Sequence, residues 1–287
     1  MATKAGTTTN DGVGYQTRSL IRALAILDAF GPDRATLSVK ELHELLDLPK
    51  PTVSRLASVL EQCGLLRGAG SGYQLGPKTF ELGSLFAQQY GLQHAARPAM
   101  ERMAREASQT SSLAMLSGRL VVYLVVARPP RPIHHVTEAG SREFAHPTGL
   151  GKVLLAGLTP DEVDRTLGDE PLARMTDNTI CDRAELHDEL ERVRRRGYAL
   201  DEEEFAVGLR CVAIGLDVPR LGPAAISLSG PAADYSPAGI KRFLKILRAT
   251  GQELDRAFSE AAQSAYPLPG TPRTYDPYAE GADAPAP

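Results

Sequence analysis

Residues 37–63, LSVKELHELLDLPKPTVSRLASVLEQC, have the pattern of two short amphipathic helices joined by a tight turn. Ser38 is followed three residues later by Glu41, a pairing that satisfies the free N–H groups at a helix start. We therefore expect the first helix to begin at about Val39. Its apolar residues recur with the 3.6-residue period of one helix face, so that face is predicted to be core. These residues are Val39, Leu42 and Leu46.

The second helix is predicted to begin at Pro51 and to run to Gly64, because proline suits the first helical position, where its missing N–H costs nothing. Its predicted buried stripe is Val53, Leu56, Ala57, Leu60 and Cys63. The residues left exposed are polar, namely Lys50, Thr52, Ser54, Arg55, Ser58 and Gln62. Such side chains can reach base edges and phosphates in a DNA major groove. Taken alone, the two helices fit an ordinary amphipathic pair with a solvated face equally well.

The segment that follows the helix pair favours DNA binding. Residues 67–75, RGAGSGYQL, form a flexible basic loop that returns into a short strand, as the wing of a winged helix does. The net charge of −3 argues against nonspecific coating of nucleic acid, but between Gln16 and Lys78 basic residues outnumber acidic ones. The candidate DNA-contacting residues are Arg18, Arg22, Ser38, Lys50, Pro51, Thr52, Ser54, Arg55, Ser58, Arg67 and Ser71.

Length and composition restrict the class of protein. A chain of 287 residues that is 43% hydrophobic is long enough for one large or two ordinary domains. The longest apolar run, Leu120 to Ala127, is far shorter than the roughly 20 residues that span a bilayer. Residues 1–14 lack the apolar segment and cleavage site of a signal peptide, so we expect a cytoplasmic protein without a membrane partner. Three cysteines without a C-x-x-C spacing argue against disulfides and structural zinc, and we expect no metal and no cofactor.

Beyond the wing the periodicity predicts a mixture of helices and strands. A linker helix is predicted over Lys78–Gln89, and a further helix from Leu92 towards Ser108. Strands are predicted at residues 112–116, 121–126, 133–137, 211–218 and 224–229, the first two joined by a turn at Ser117-Gly118. Helix caps are predicted at Thr159, Asp182 and Ser236. Strands that open on a hairpin and mix with helices indicate an antiparallel α+β sheet rather than a Rossmann sheet.

Several motifs in order resemble those of the IclR family of bacterial transcription regulators, from about Arg18 to Phe258. They are SLIRALAIL at 19–27, LPKPTVSRL at 48–56, YQLG at 73–76, HPTGLGKVLLA at 146–156, GYALDEEE at 197–204 and GLRC at 208–211. The resemblance implies an α+β protein with a winged helix-turn-helix DNA-binding domain at 16–78 and a linker helix at 79–91. A GAF-like effector-binding domain with a central antiparallel sheet would follow at 92–265. Residues 1–15 and 266–287 are predicted to be disordered tails.

The resemblance also implies an effector site. In the family, small carboxylates such as glyoxylate or pyruvate are held by an aspartate, a cysteine, two serines and backbone before the Gly-Lys helix. In this sequence the matching residues are Gly149, Leu150, Asp201, Cys211, Ser227 and Ser229. Ser227 and Ser229 are two apart, so they share one face of a strand. Asp201 is predicted to lie in the loop that leads to the strand around Cys211. Its carboxylate can accept from a hydroxyl or a hydrated carbonyl, and the serines can donate to a carboxylate.

Two other kinds of site, a phosphate loop and a metal site, do not match these residues. The stretch HPTGLGK is not a phosphate loop, because that motif needs Gly where His146 stands and Ser or Thr where Val153 stands. It fits a helix N-terminus whose free N–H groups near Gly149 and Leu150 hold a carboxylate, or else a glycine-softened helix start packed on the sheet. The adjacent His134 and His135 would point to opposite faces of a strand, so no metal site is predicted.

An enzyme is the alternative class. A nucleophile and base could come from Cys211 with His187 or His146, or from Ser227 with Asp201, but no Gly-x-Ser-x-Gly elbow is present. The preferred prediction is a DNA-binding transcriptional regulator, a repressor rather than an activator, whose operator affinity is modulated by a small carboxylate or aromatic acid. A homodimer or a dimer of dimers would bind a pseudopalindromic double-stranded operator. The alternative prediction is a small-molecule-processing α+β enzyme with an accessory helical domain.

Overall fold

The computed structural model describes residues 11–31, 33–130, 137–219 and 221–264. The chain forms two compact units, and the boundary between them lies between Gln89 and Tyr90. Within the described ranges, no helix is both long enough and apolar enough to cross a lipid bilayer.

The described part of the first unit contains four helices and three short strands. The helices are α1 (Asp11–Asp28), α2 (Val39–Leu46), α3 (Lys50–Gln62) and α4 (Pro77–Gln89), and the strands are β1 (Leu37–Ser38), β2 (Leu66–Ala69) and β3 (Gly72–Leu75). The antiparallel sheet has the order β1-β3-β2. Its core includes Ile26 of α1, Leu42 of α2, and Val53 and Leu56 of α3. The predicted helix pair and hairpin wing are confirmed.

The start of α2 forms the predicted capping box. The backbone N–H of Glu41 donates to Ser38 Oγ over 3.2 Å, and the backbone N–H of Ser38 donates to Glu41 Oε2 over 2.7 Å. This reciprocal pair satisfies two donors that have no partner within the helix. At its other end α2 stops at Asp47, whose φ of 50° is left-handed and turns the chain towards α3.

The ends of α3 differ from the prediction. The helix begins at Lys50, one residue before the predicted start, because the carbonyl of Pro49 already accepts from the N–H groups of Thr52 and Val53. Pro51 is therefore the second helical residue. Backbone N–H groups in the first turn have no acceptor within the helix, so the missing N–H of proline costs nothing there. The helix ends at Gln62, and Cys63 is exposed rather than buried. The predicted stripe fails at Cys63 because the helical period stops before it.

The wing is a hairpin of β2 and β3 closed by a turn at Gly70 and Ser71. Gly70 has a φ of 60°, a left-handed conformation that glycine adopts without strain. The backbone N–H of Gly68 donates to Glu61 Oε1 over 2.9 Å and so ties the wing to the last turn of α3.

The predicted limits of the first unit need two corrections. Residues 11–15 belong to α1 rather than to a disordered tail, and residues 1–10 lie outside the described residues. The predicted linker helix is present as α4, but it begins at Pro77 and ends at Gln89 instead of extending to residue 91.

The second unit is a six-stranded antiparallel sheet with helices on its faces. Its helices are α5 (Arg97–Ala107), α6 (Gly149–Ala156), α7 (Pro160–Leu167), α8 (Arg183–Arg196) and α9 (Pro237–Ser264), with a π-helical turn at Leu92–Ala96 and a 3₁₀ turn at Ala232–Asp234. The strands are β4 (Thr110–Ser117), β5 (Leu120–Ala127), β6 (Arg142–Phe144), β7 (Ala199–Glu202), β8 (Leu209–Val218) and β9 (Gly222–Pro231). The strand order β6-β5-β4-β9-β8-β7, antiparallel throughout, confirms the predicted fold class.

The two faces of this sheet are covered by different helices. On β4 the side chain of Ser111 donates to the carbonyl of Met100 on α5 over 2.7 Å. Because successive strand residues point to opposite faces, Ser112 faces the other side, where α6 packs. The core on the α6 side joins α6, α7 and α8 to the sheet and includes Leu154, Val163 and Leu190.

Most predicted elements of the second unit are confirmed. Strands occupy 112–116, 121–126, 211–218 and 224–229 as predicted, and the caps at Thr159 and Asp182 begin α7 and α8. The last helix begins at Pro237, directly after Ser236. Asp201, however, lies in β7 and not in a loop. Of the strand predicted at 133–137, only Thr137 lies within the described residues and it belongs to no strand; the tail at 266–287 also lies outside them.

Candidate functional site

Two rows of small, mostly polar residues cross the face of the sheet that α6 covers. The first row contains directly opposed residues on four strands: Asp201, Cys211, Ser229 and Thr110. The second row, two residues along, is Ala213, Ser227 and Ser112. Residues two apart on a strand share a face, so the sheet register alone brings these side chains to one surface.

The start of α6 lies against these rows. Thr148 caps the helix, since its Oγ1 accepts from the backbone N–H of Gly151 over 3.1 Å. A Cβ on Gly149 would lie only 3.1 Å from Cys211 Sγ, so glycine lets the helix start approach the sheet closely. The positive end of the helix dipole thus points at the polar rows.

A cavity of about 30 Å³ lies between the helix start and the sheet. All six predicted effector residues line it: Gly149, Leu150, Asp201, Cys211, Ser227 and Ser229. Seven further residues line it that the sequence analysis missed: Thr110, Ser112, Tyr123, Thr137, Thr148, Phe205 and Leu209. Ser112 opens the strand predicted at 112–116 and Thr110 stands two residues before it, so strand alternation was a usable signal for these two. The others depend on strand order and on the turn after β7.

Asp201 is 3% exposed and holds a proton more strongly than an ordinary aspartate. Burial, followed by the nearby Glu204, raises its pKa from 3.8 to about 7. Its Oδ1 accepts from the backbone N–H groups of Glu204 and Phe205 over 2.8 and 3.3 Å. These two bonds fix the orientation of the carboxyl group at the cavity wall.

Cys211 and Tyr123 remain protonated at neutral pH. Burial, together with the charge of Asp201, raises the pKa of the Cys211 thiol to about 12. Burial also raises the pKa of the Tyr123 hydroxyl well above its usual value. A buried neutral thiol is a poor nucleophile, since the thiolate is the reactive form. The site therefore suits binding better than covalent chemistry.

Hydroxyl groups and the N–H groups at the start of α6 supply hydrogen-bond donors in the cavity wall. No lysine or arginine lies among the cavity-lining residues of the described chain. Serine and threonine hydroxyls and the free N–H groups at a helix start can donate to a carboxylate, and protonation of Asp201 lowers the repulsion of such an anion. The arrangement can hold a small polar molecule that carries a carboxylate.

The histidines do not join this site. His146 is buried, and its Nε2 lies 2.9 Å from the carbonyl of Ala173; burial lowers its pKa. His187 Nε2 lies 3.0 Å from Asp164 Oδ1, away from the cavity-lining residues. Within the described ranges, no group of three or more His, Cys, Asp or Glu side chains is arranged to hold a metal ion. His134 and His135 lie outside those ranges.

The candidate DNA-contacting residues lie on α1, α3 and the wing, except Ser38, which lies on β1 and caps α2. Those with exposed side chains are Arg18, Arg22, Lys50, Pro51, Ser54, Arg55, Arg67 and Ser71, whereas Ser38, Thr52 and Ser58 are half-buried. The hydroxyl of Ser38 also donates to Glu41 Oε2 over 2.7 Å, so it is committed to the capping box. On the wing, Arg67 Nη2 donates to Gln74 Oε1 over 2.7 Å.

Comparison with known families covers both units. A model of the IclR helix-turn-helix domain matches residues 19–69, and a model of the C-terminal part of bacterial IclR transcriptional regulators matches residues 85–256. The chain belongs to the IclR family of bacterial transcriptional regulators. Like the family members it matches, it is a DNA-binding transcriptional regulator and not an enzyme.

Relatives of this IclR-family regulator match it over most of their length. The transcriptional regulator BhcR of Paracoccus denitrificans is 34% identical over 240 residues, which cover 83% of this chain and 86% of BhcR. The transcriptional repressor IclR of Escherichia coli is 28% identical over 248 residues, covering 85% and 90%. The same fold occurs in an IclR homologue from Microbacterium hydrocarbonoxydans crystallised with 4-hydroxybenzoate, at a TM-score of 0.69, 22% identity, and coverage of 84% and 99%.

Proposed function

We propose that this regulator binds an operator through α3 and the wing, and that a small organic acid bound in the cavity of the second unit changes its operator affinity. One observation carries the effector part of this proposal. Six residues that are scattered over 80 positions of sequence line a single cavity. Its hydroxyl and N–H donors match a carboxylate, and its protonated carboxyl group matches a neighbouring hydroxyl or carbonyl oxygen.

The proposed DNA contacts follow from the exposed side chains of α3. Lys50, Ser54 and Arg55 lie near the N-terminal part of this helix, the part that a recognition helix presents to base edges. Arg55 is the proposed base-reading residue, because its guanidinium can donate to both acceptors of a guanine edge. Lys50, and Arg67 with Ser71 on the wing, are proposed to contact phosphates.

A homodimer is proposed as the DNA-binding form. Helix α4 carries Phe80, which is 78% exposed, and Leu85, which is 60% exposed, while α1 exposes Leu20 and Ile21 to a similar degree. Large apolar side chains concentrated on two helices are typical of a surface that a partner covers. A second copy of the chain is the proposed occupant, because two winged helices related by a two-fold axis match a pseudopalindromic operator.

The proposed ligand is a small carboxylate or an aromatic acid. The cavity volume of about 30 Å³ equals the space of about one water molecule, so a ligand must widen it. The Microbacterium homologue, which was crystallised with an aromatic acid, supports including this class. The name of the Escherichia coli relative supports repression as the proposed mode of regulation.

The experiment is a titration of operator binding. Fluorescence anisotropy with DNA from upstream of the gene would be measured first in low salt, then with glyoxylate, pyruvate or 4-hydroxybenzoate. A shift of about 5- to 150-fold in operator affinity is expected for the true ligand class. Absence of DNA binding in low salt, or unchanged affinity with every acid although the acid binds the protein, would contradict the proposal.

A further inference from the structure

Lys152 is among the largest fully buried side chains of the described residues, and it forms an ion pair with one specific partner. Its Nζ pairs with Glu204 Oε1, and the two side chains are only 1% and 7% exposed. Neither residue lines the effector cavity. A buried ion pair contributes little to stability on balance, because removing two charges from water costs about as much as their attraction returns. This pair therefore calls for a role other than stabilising the fold.

The pair joins two elements that both line the cavity. Lys152 lies on α6, one turn after the cavity-lining residues Gly149 and Leu150, and its N–H donates to the carbonyl of Thr148 over 2.9 Å. Glu204 lies in the turn after β7, between the cavity-lining residues Asp201 and Phe205. The ion pair thus connects the helix-start wall to the wall formed by this turn.

The turn at residues 201–205 is held tightly on its other side as well. The hydroxyl of Thr179 donates to the carbonyl of Glu204 over 2.7 Å, and that of Thr176 donates to the carbonyl of Glu203 over 2.7 Å. Glu203 has a φ of 66°, a left-handed conformation that is strained for a residue with a Cβ. A strained turn persists only when its surroundings fix it, and Lys152 supplies a further contact from α6.

We propose that Lys152 is a positioning residue for ligand selection: through Glu204 it holds Asp201 where that side chain meets a hydroxyl on the carbon next to a bound carboxylate. The inference rests on the proposed effector function. The helix start and the serine hydroxyls hold the carboxylate, and Asp201 accepts the neighbouring hydroxyl across the cavity. Lys152 then selects 2-hydroxy acids over acids that lack this hydroxyl without touching the ligand.

The test compares two matched pairs of acids by isothermal titration: lactate with propionate, and mandelate with phenylacetate. The double variant Lys152→Met/Glu204→Gln removes both buried charges and keeps similar side-chain volumes, so neither is left uncompensated. We expect the wild-type protein to prefer the hydroxylated member of at least one pair. The double variant should lose about tenfold of that preference, the effect of one lost hydrogen bond. Its affinity for the member without the hydroxyl should stay within about twofold.

A control and an epistasis arm separate positioning from folding. Arg102→Met/Glu253→Gln removes an ion pair between α5 and α9, away from the cavity-lining residues, and should leave the preference unchanged. Asp201→Asn should reduce the preference by itself, and adding the Lys152 and Glu204 changes should reduce it no further. The positioning role is overturned, while the effector function stands, if the double variant loses affinity for both members of a pair by the same factor. It is also overturned if the preference falls only as the variant loses thermal stability. A wild-type protein that binds none of the four acids, or that shows no preference for the hydroxylated member of either pair, also overturns the positioning role, whereas the effector function fails only if the anisotropy titration with glyoxylate, pyruvate and 4-hydroxybenzoate fails.

Discussion

Asp201 on β7 and Cys211 on β8 lie directly opposite each other, and both side chains are buried at one wall of the cavity. Burial raises the pKa of both groups, and the charge of Asp201 raises that of the thiol further. Both shifts favour the protonated forms, so this wall carries less negative charge near pH 7 than an ordinary aspartate would give it. The reduced charge lets a carboxylate approach a site that contains an aspartate.

Asp201→Asn should make the stability of the second unit less dependent on pH. The pKa of Asp201 is raised from 3.8 to about 7, so the folded chain holds a proton that the unfolded chain releases. The resulting stabilisation is complete below about pH 4 and is lost as the pH rises through about 7, a total on the order of a few kcal/mol. Asparagine does not titrate, so the stability of the variant relative to that of the wild type should increase as the pH rises.

Thermal unfolding followed by circular dichroism between pH 5 and pH 8 tests this dependence. The difference in melting temperature between Asp201→Asn and the wild type should grow in favour of the variant towards pH 8. Parallel melting curves across this range would show that Asp201 ionises normally in the folded chain. Over the same pH range, the affinity of the wild type for an anionic ligand should fall above about pH 7, because the ionised Asp201 then repels the ligand.

Ser112→Ala should weaken effector binding, whereas Ser111→Ala should not. The two residues are neighbours on β4 but point to opposite faces: Ser112 lines the cavity, and Ser111 donates to Met100 on α5. Loss of one hydrogen bond to a carboxylate should raise the dissociation constant by about 10- to 100-fold. Ser111→Ala leaves the buried carbonyl of Met100 without this donor, so it should lower stability by about 1–3 kcal/mol and leave affinity unchanged.

Calorimetric titration and urea unfolding of both serine variants measure the two effects separately. Ser227→Ala, on the strand paired with β4, should behave like Ser112→Ala, because Ser227 lies directly opposite Ser112. Equal losses of affinity in the Ser111 and Ser112 variants would place the ligand elsewhere.

Local signals made the ends of several elements predictable from the sequence. Ser38 with Glu41, and Thr159 with Glu162, satisfy their own helix starts within one turn, so the predicted caps agree with the structure. Cys63 shows the limit of periodicity: its position continues the apolar stripe, but the helix stops before it. A stripe does not carry information about where a helix ends.

The cavity depends on long-range pairing, and its composition was only partly predictable. The match to family motifs identified Asp201 and Cys211, but their direct opposition depends on the register between β7 and β8. Tyr123 joins the wall only because β5 pairs with β4. The pairing of Lys152 with Glu204 spans 52 residues and left no local pattern.

Gly149→Ala should fill the cavity and reduce ligand binding. The added Cβ would lie 3.1 Å from Cys211 Sγ and 3.5 Å from Ala213 Cβ, tighter than ordinary packing at the sulfur. Overpacking of this kind costs about 1–3 kcal/mol of stability. Gly157→Ala, at the other end of α6, meets only an ordinary contact of 3.4 Å to the carbonyl of Leu154 and serves as the control.

A double-mutant cycle identifies the source of the cost of Gly149→Ala. In a Cys211→Ala background the sulfur is absent, so Gly149→Ala should destabilise the chain less than it does in the wild type. Unfolding in urea measures the four free energies. Additive effects of the two substitutions would mean that the helix start does not press on Cys211.

Arg55→Ala and Lys50→Ala should weaken operator binding in different ways. If Arg55 reads a guanine edge, its loss should cost about 1–3 kcal/mol per contact at the cognate operator and little on unrelated DNA. If Lys50 contacts a phosphate, its loss should weaken binding to all sequences and lower the slope of log affinity against log salt by about one for each contact.

Lys40→Ala is the matched control, because Lys40 lies on α2 and pairs with Glu44 over 3.9 Å. Anisotropy titrations from about 50 to 200 mM salt, with cognate and scrambled operators, distinguish these outcomes. Equal losses on both DNAs for Arg55→Ala would make Arg55 a phosphate contact, and unchanged affinity for both variants would remove α3 from the groove.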